Sequence, residues 1–149
     1  MKKVLLTGGT GFIGSHTAVE MIKSGYDVVI ADDLSNSEES VVERIKTITS
    51  KKPTFYHINV ADKEELSRVF HEQDVDAVIH FAGYKAVGES VEKPLDYYSN
   101  NLNTTMTLLA VMKENGVKDI IFSSSATVYR LVDEVPFTEE SGPLVNLVF

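Results

Sequence analysis

Four glycines fall within seven positions of Leu5-Leu6-Thr7-Gly8-Gly9-Thr10-Gly11-Phe12-Ile13-Gly14, directly after an apolar run. Glycine weakens strands and helices alike, so its concentration here points to chemistry that side chains would obstruct. The run reads in two frames. Gly9-x-Gly11-x-x-Gly14 fits the dinucleotide fingerprint, and Gly8-x-x-Gly11-x-x-Gly14 fits a wider-spaced variant. In both, a strand turns sharply into a helix whose free N–H groups and positive dipole end face a diphosphate. Asp32 follows eighteen residues after Gly14. A carboxylate there accepts from a ribose diol and repels a 2′-phosphate, by about 4 kcal/mol for unit charges 4 Å apart at an effective dielectric of ~20. That favours NAD over NADP. The alternative is an ordinary turn followed by an acidic loop.

Two further stretches have the composition of strand ends that meet a ligand. His80-Phe81-Ala82-Gly83 closes an apolar run, and Gly83 lets the backbone approach a ribose closely. Lys85 follows; it meets a phosphate or hydroxyl, or is simply solvated. His80 lies inside the apolar run and reads as a hydrogen-bonded core histidine. Asn100 stands at or before the start of a long helix, where its plain role is capping. Phe122-Ser123-Ser124-Ser125-Ala126-Thr127-Val128-Tyr129 closes a later strand, and a serine there can hold a substrate hydroxyl as it loses its proton.

The elements that must position these residues alternate between two periodicities. Short apolar runs at Lys3–Thr7, Asp27–Ala31, Thr54–Ile58, Ala77–Phe81 and Asp119–Ser123 lack strict alternation, as strands covered on both faces do. Helical spacing marks Phe12–Ser24, Glu38–Ser50, Lys63–Glu72 and Tyr97–Asn115. Strands alternating with helices imply parallel pairing through right-handed crossovers. The expected fold is α/β: a Rossmann-like, doubly wound parallel sheet of five strands with helices on both faces, and an atypical C-terminal tail. Residues 1–129 form the binding domain. Residues 130–149 are a divergent segment with an apolar end, Leu144-Val145-Asn146-Leu147-Val148-Phe149.

Composition narrows the classes further. The 149 residues carry a formal charge of −8 and no basic run beyond Lys2-Lys3 and Lys51-Lys52, so a nucleic-acid partner has no electrostatic footprint. With no cysteine there is neither a disulfide nor a thiolate metal site, which suits a reducing compartment, the cytoplasm. No metal site is expected. No apolar run reaches the ~18 residues of a membrane span.

Together, Thr7–His16, the stretch His80-Phe-Ala-Gly-Tyr-Lys-Ala-Val-Gly-Glu-Ser-Val-Glu-Lys-Pro94 and Phe122–Tyr129 resemble the N-terminal half of the UDP-glucose 4-epimerase family, extended short-chain dehydrogenase/reductases. The resemblance runs from residue 1 to about 129. It implies an NAD site in which Gly8, Gly11, Phe12, Ile13 and Gly14 meet the diphosphate. It implies that Asp32, Asp33, Leu34, Ser35, Asn36 and Ser37 surround the adenosine ribose, and that Asn59 and Val60 flank the adenine. Phe81, Ala82, Gly83 and Lys85 would line the nicotinamide side, with Asn100 nearby, and Ser125 would take the sugar C4 hydroxyl. The implied reaction interconverts UDP-galactose and UDP-glucose through a 4-keto sugar, with retained NAD. The implied partners are a UDP-sugar and, through helix Tyr97–Asn115, a second copy of the chain.

The sequence departs from that pattern in three places. The family usually has aspartate where Asn59 stands; the amide oxygen is still expected to accept from the adenine amine. Arg130 replaces a glycine. The family's base is a tyrosine activated by a lysine four residues on, yet Tyr26, Tyr56, Tyr84, Tyr97, Tyr98 and Tyr129 are followed at that spacing by Ile30, Val60, Gly88, Asn101, Leu102 and Asp133. The chain alone is therefore expected to be inactive. Two alternatives stay open: a non-catalytic NAD-binding module, and a fragment of a nucleotide-sugar 4,6-dehydratase, whose enzymes place Asp-Glu where Ala126-Thr127 stand.

Overall fold

The computed structural model describes residues 2–125, together with Pro136 and Thr138. The expectations for residues 126–135, 137 and 139–149, including Arg130, the pair Tyr129 and Asp133, and the apolar tail, lie outside the described residues.

Five strands alternate with helices: β1 (Lys3–Thr7), α1 (Phe12–Lys23), β2 (Asp27–Asp32), α2 (Ser40–Thr49), β3 (Thr54–His57), α3 (Lys63–Gln73), β4 (Ala77–His80), α4 (Val87–Glu92), α5 (Pro94–Glu114) and β5 (Asp119–Phe122). All pairings are parallel, in the order β3-β2-β1-β4-β5. From β1 the chain winds out to β2 and β3, then returns to β4 and β5 on the other side. The direction reverses between β1 and β4, where an open sheet leaves a crevice at its carboxyl edge. The Rossmann-like doubly wound fold expected from the sequence is the one observed.

The run-like apolar strands have a direct structural cause. Leu5, Val29, Ala31 and Val78 face one layer with Leu66, Val69 and Phe70 of α3 and Leu108, Val111 and Met112 of α5. Val4, Leu6, Val28, Ile30 and Ile79 face the opposite layer with Ala18 and Ile22 of α1 and Ile45 of α2. Both faces of the central strands are thus dry, and each fully buried aliphatic side chain contributes roughly 1.5–3 kcal/mol.

Most helix ends lie within two residues of the sequence reading, and two differences are larger. The long helix begins at Pro94, three residues earlier than Tyr97, because proline at its first position has no N–H to leave unpaired. Asn100 therefore sits inside α5 and does not cap it. The short α4 was not foreseen: it has six residues, none buried, and so no apolar stripe to betray it. At α3 the start is fixed locally, since the Asp62 side chain accepts from the N–H groups of Glu64 and Glu65. Among the described residues no helix is long and apolar enough to cross a membrane.

Candidate functional site

The carboxyl ends of β1, β2, β4 and β5 and the start of α1 enclose an open cleft of about 250 Å³. Its centre is the β1–α1 turn. Gly8 takes φ +70°, and a Cβ there would sit 2.7 Å from the Ala82 nitrogen, so the turn lies flat against the end of β4. At Gly14 a Cβ would meet the Gly8 carbonyl oxygen at 2.4 Å and the Gly9 Cα at 2.8 Å. Only glycine lets α1 start this close to the strand it follows. The helix cap is Gly11, which offers no side-chain acceptor. The first turn's N–H groups, those of Phe12, Ile13 and Gly14, thus open onto the cleft as donors, while Ser15 is the first to bond back, to the Gly11 carbonyl.

Asp32, at the end of the neighbouring strand β2, stands directly beside the turn. It is 6% exposed, and its two oxygens organise the loop that follows. Oδ2 accepts from the Thr10 N–H at 3.0 Å; Oδ1 accepts from the Leu34 N–H at 3.0 Å and the Ser37 hydroxyl at 3.3 Å. Leu34 takes φ +58°, a conformation uncommon for a non-glycine residue, and its N–H is held by that carboxylate. Ser37 also shares a hydrogen bond with the Thr10 hydroxyl, tying the loop back to the glycine turn. One acceptor position remains on Oδ2 for a ligand hydroxyl.

At the β4 end, His80 is buried, with Nδ1 2.5 Å from the Thr7 hydroxyl and Nε2 3.1 Å from the Thr105 hydroxyl. The Thr105 hydroxyl donates to the Asn101 carbonyl, so it accepts from Nε2–H, and Nδ1 accepts from Thr7. Burial, with a smaller push from the Lys85 ammonium, lowers the His80 pKa to about 4. The core-histidine reading is what the structure has. A folded pKa below the unfolded one means that the unfolded chain binds the proton more readily, so stability is full above pH 6.5 and falls as the pH drops towards 4. Between pH 7 and 4.5 this single group is expected to remove about 2 kcal/mol. Urea unfolding at the two pH values should show that loss, and His80→Asn should shrink it.

Beyond His80, Gly83 and Lys85 reach the cleft through a loop that Asn101 holds. Its Oδ1 accepts from the Tyr84 N–H at 2.7 Å and its Nδ2 donates to the Tyr84 carbonyl at 3.1 Å. Lys85 is exposed and makes no ion pair among the described residues. Asn100, beside it on α5, lines the cleft.

The cleft gathers most of the residues singled out by sequence: Gly8, Gly11, Phe12, Ile13, Gly14, Asp32, Asp33, Ser35, Asn36, Asn59, Val60, Phe81, Ala82, Gly83, Lys85 and Asn100. Leu34 and Ser37 are not in its wall; they act behind it, through Asp32. Ser125 is exposed and outside the lining, whereas Ser123 is in it, its N–H bonded to the His80 carbonyl. Ala31, Ile58, Tyr84 and Thr104 line the cleft without having been foreseen. All but Tyr84 are buried or lie within elements, where core packing masks any binding signal. Asn59 also differs in detail. Its Oδ1 accepts from the Ala61 N–H at 2.8 Å, so the amide oxygen is partly engaged before any base arrives. Among the described residues no cluster of three or more His, Asp or Glu is placed to hold a metal.

Comparison with known proteins agrees with this geometry. Residues 4–147 match the model of the NAD dependent epimerase/dehydratase family. The chain is 53% identical to UDP-glucose 4-epimerase of Neisseria meningitidis serogroup B over 143 residues, 96% of this chain and 42% of that protein. It is likewise 53% identical to that of Bacillus subtilis over 137 residues, 92% of this chain and 40% of that protein. It superposes with a TM-score of 0.91 and 52% identity on the UDP-glucose 4-epimerase of Bifidobacterium longum in complex with NAD+ and UDP, covering 95% of this chain and 42% of that one. A Stenotrophomonas maltophila UDP-glucose-4-epimerase with bound NAD and formylated UDP-arabinopyranose also gives 0.91, at 44% identity, over 96% of this chain and 43% of that one. The chain thus spans about two fifths of the length of the relatives it matches. With the glycine turn, the acidic β2 end and the β4 loop converging on one crevice, this chain belongs to the NAD dependent epimerase/dehydratase family.

Proposed function

We propose that the cleft holds NAD and that the activity it serves is UDP-glucose 4-epimerisation. The observation that carries the reading is the β1–α1 turn: a glycine-walled mouth with free N–H groups, with a buried carboxylate beside it in the same crevice. The residues fit the cofactor in charge and in shape. The diphosphate belongs at Phe12, Ile13 and Gly14, the adenosine ribose at Asp32, and the nicotinamide end beside Phe81, Ala82, Gly83 and Lys85. When bound, NAD supplies a reversible hydride acceptor. The chain's own residues orient it, and Ser125 is assigned to a sugar hydroxyl at the end of β5. The substrate is a UDP-sugar and the setting cytoplasmic. Association with a second copy would cover the exposed stripe Leu95, Tyr98, Leu102, Met106 and Leu109 along α5.

A second reading, a dinucleotide-binding module without catalysis, is favoured by the tyrosines. No Tyr-x-x-x-Lys pair occurs in the 149 residues. The phenols of Tyr56 and Tyr97 are pushed up, by desolvation and by Glu72 and Glu89 respectively, away from what a base needs. One experiment addresses both readings. The purified 149-residue chain, its length checked by intact mass, is expected to carry or bind one NAD and to give no conversion of UDP-galactose into UDP-glucose. Failure to bind NAD would overturn the site; measurable turnover would overturn the inference drawn from the missing pair.

A further inference from the structure

Gly83, Tyr84, Lys85 and Asn100 form one wall of the cleft, on a unit that has no core of its own. No residue of α4 is buried, and in α5 none before Thr104 is. The apolar side chains that fix α5 to the sheet, Leu108, Val111 and Met112, all lie beyond that point. Within residues 83–103 the contacts are polar or aromatic. The Asn101 amide grips the Tyr84 backbone, the Tyr97 hydroxyl donates to Glu89 at 2.9 Å, and the Tyr84 and Tyr97 rings lie 5.3 Å apart. These contacts hold the unit to itself, not to the sheet.

His80 supplies a tie to the sheet. Its Nε2–H donates to the Thr105 hydroxyl at 3.1 Å, and that hydroxyl donates on to the Asn101 carbonyl at 2.9 Å. On the other side the Thr7 hydroxyl donates to Nδ1 at 2.5 Å and itself takes the Ala82 N–H at 3.5 Å. One buried imidazole thus links the ends of β1 and β4 to α5, at the turn where the core packing of that helix stops.

We propose that His80 is a positioning residue: through Thr105 it sets where residues 83–103, and with them the wall at Gly83, Tyr84 and Lys85, stand over the cleft. His80 is not itself in the lining. The inference rests on the dinucleotide reading for its affinity readout only, because the wall can also be followed without a ligand. Losing the Thr105 bond leaves the β4 loop and the first half of α5 attached to each other but free to shift together. The core behind them stays packed, so the effect on the cleft exceeds what the loss of stability alone would bring.

The test follows amide hydrogen exchange at Tyr84 in the ligand-free chain, NAD affinity by calorimetric titration, and the urea midpoint. Thr105→Val removes the hydroxyl and Thr105→Ser keeps it. His80→Asn keeps an acceptor for Thr7 but ends short of Thr105, whereas His80→Gln carries an amide donor as far out as Nε2. Ile45→Val, in the opposite core layer, is the control for a comparable loss of stability. Thr105→Val and His80→Asn are expected to speed Tyr84 exchange and weaken NAD binding by about tenfold each, the size of one net hydrogen bond. Thr105→Ser and His80→Gln should stay within about threefold of the wild type, since the bond to α5 is kept. Ile45→Val should lower the midpoint and change neither of the other readouts. Unchanged exchange or affinity in Thr105→Val, no recovery in Thr105→Ser, or an equal change in Ile45→Val would overturn the proposal. A wild-type chain that bound no NAD would instead overturn the cofactor site, and the exchange pattern would still decide the role of His80.

Discussion

Gly14→Ala is expected to weaken dinucleotide binding by roughly a hundredfold or more while leaving the parallel sheet in place. The added methyl has nowhere to go: it would lie 2.4 Å from the Gly8 carbonyl oxygen and 2.8 Å from the Gly9 Cα. Both neighbours are backbone, so no side chain can swing aside. Either α1 lifts from the turn or the turn itself deforms. Overpacking of this kind costs typically 1–3 kcal/mol in stability. The functional loss is larger, because the same movement displaces the N–H groups of Phe12, Ile13 and Gly14, which act on a diphosphate only when they converge. Calorimetric titration with NAD and thermal unfolding together check this, with Gly88→Ala as the control. A Cβ at Gly88 meets nothing within 4 Å, so that variant should bind NAD like the wild type. A Gly14→Ala chain that bound NAD normally would show that the diphosphate lies elsewhere.

Why the glycine run was readable in sequence and the Asn59 turn was not follows from the range of the forces involved. Gly11 and Gly14 answer a steric demand set within a single βα unit, so their spacing carries the information, and Gly8 joins them through the positive φ of the same turn although the backbone it meets, at Ala82, follows β4. The central strands β1, β2 and β4 were readable for a similar reason: covered on both faces, each buries a continuous apolar run, and β1 begins and ends at the expected Lys3 and Thr7. The α4 helix has no buried face, and nothing in Val87–Glu92 distinguishes it from a loop. Asn101 was missed because its contact with Tyr84 spans seventeen residues, and no local pattern encodes it. Asn59 was expected to offer its oxygen to the base. The Ala61 N–H two residues later takes part of that capacity, a consequence of backbone conformation that composition does not reveal. Leu34 and Ser37 were expected in the wall of the cleft; they stand behind it because Asp32 draws their polar groups towards itself.

Asp32→Asn should be the most damaging of the isosteric changes in the cleft. The carboxylate accepts from three donors, on both of its oxygens: the Thr10 N–H, the Leu34 N–H and the Ser37 hydroxyl. An amide has one oxygen. Whichever way it turns, its NH₂ faces at least one N–H donor, and Asp32 is too buried for water to relieve the mismatch freely. Losing a charge-assisted bond and leaving a buried donor unpaired costs about 2–3 kcal/mol. The consequences for the loop go further. Leu34 holds its left-handed conformation with the help of that carboxylate, and once released it can relax and carry Ser35 and Asn36 with it. Dinucleotide affinity should then fall because the ribose loses both its acceptor and the loop that encloses it. The preference against a 2′-phosphate should fall as well, since the repelling charge has gone. The expected result is a lower urea midpoint, weaker NAD binding, and a ratio of NADP to NAD affinity closer to one than in the wild type. An Asp32→Asn chain with unchanged stability would mean that the three donors are satisfied elsewhere. An unchanged ratio would mean that the ribose does not meet this carboxylate.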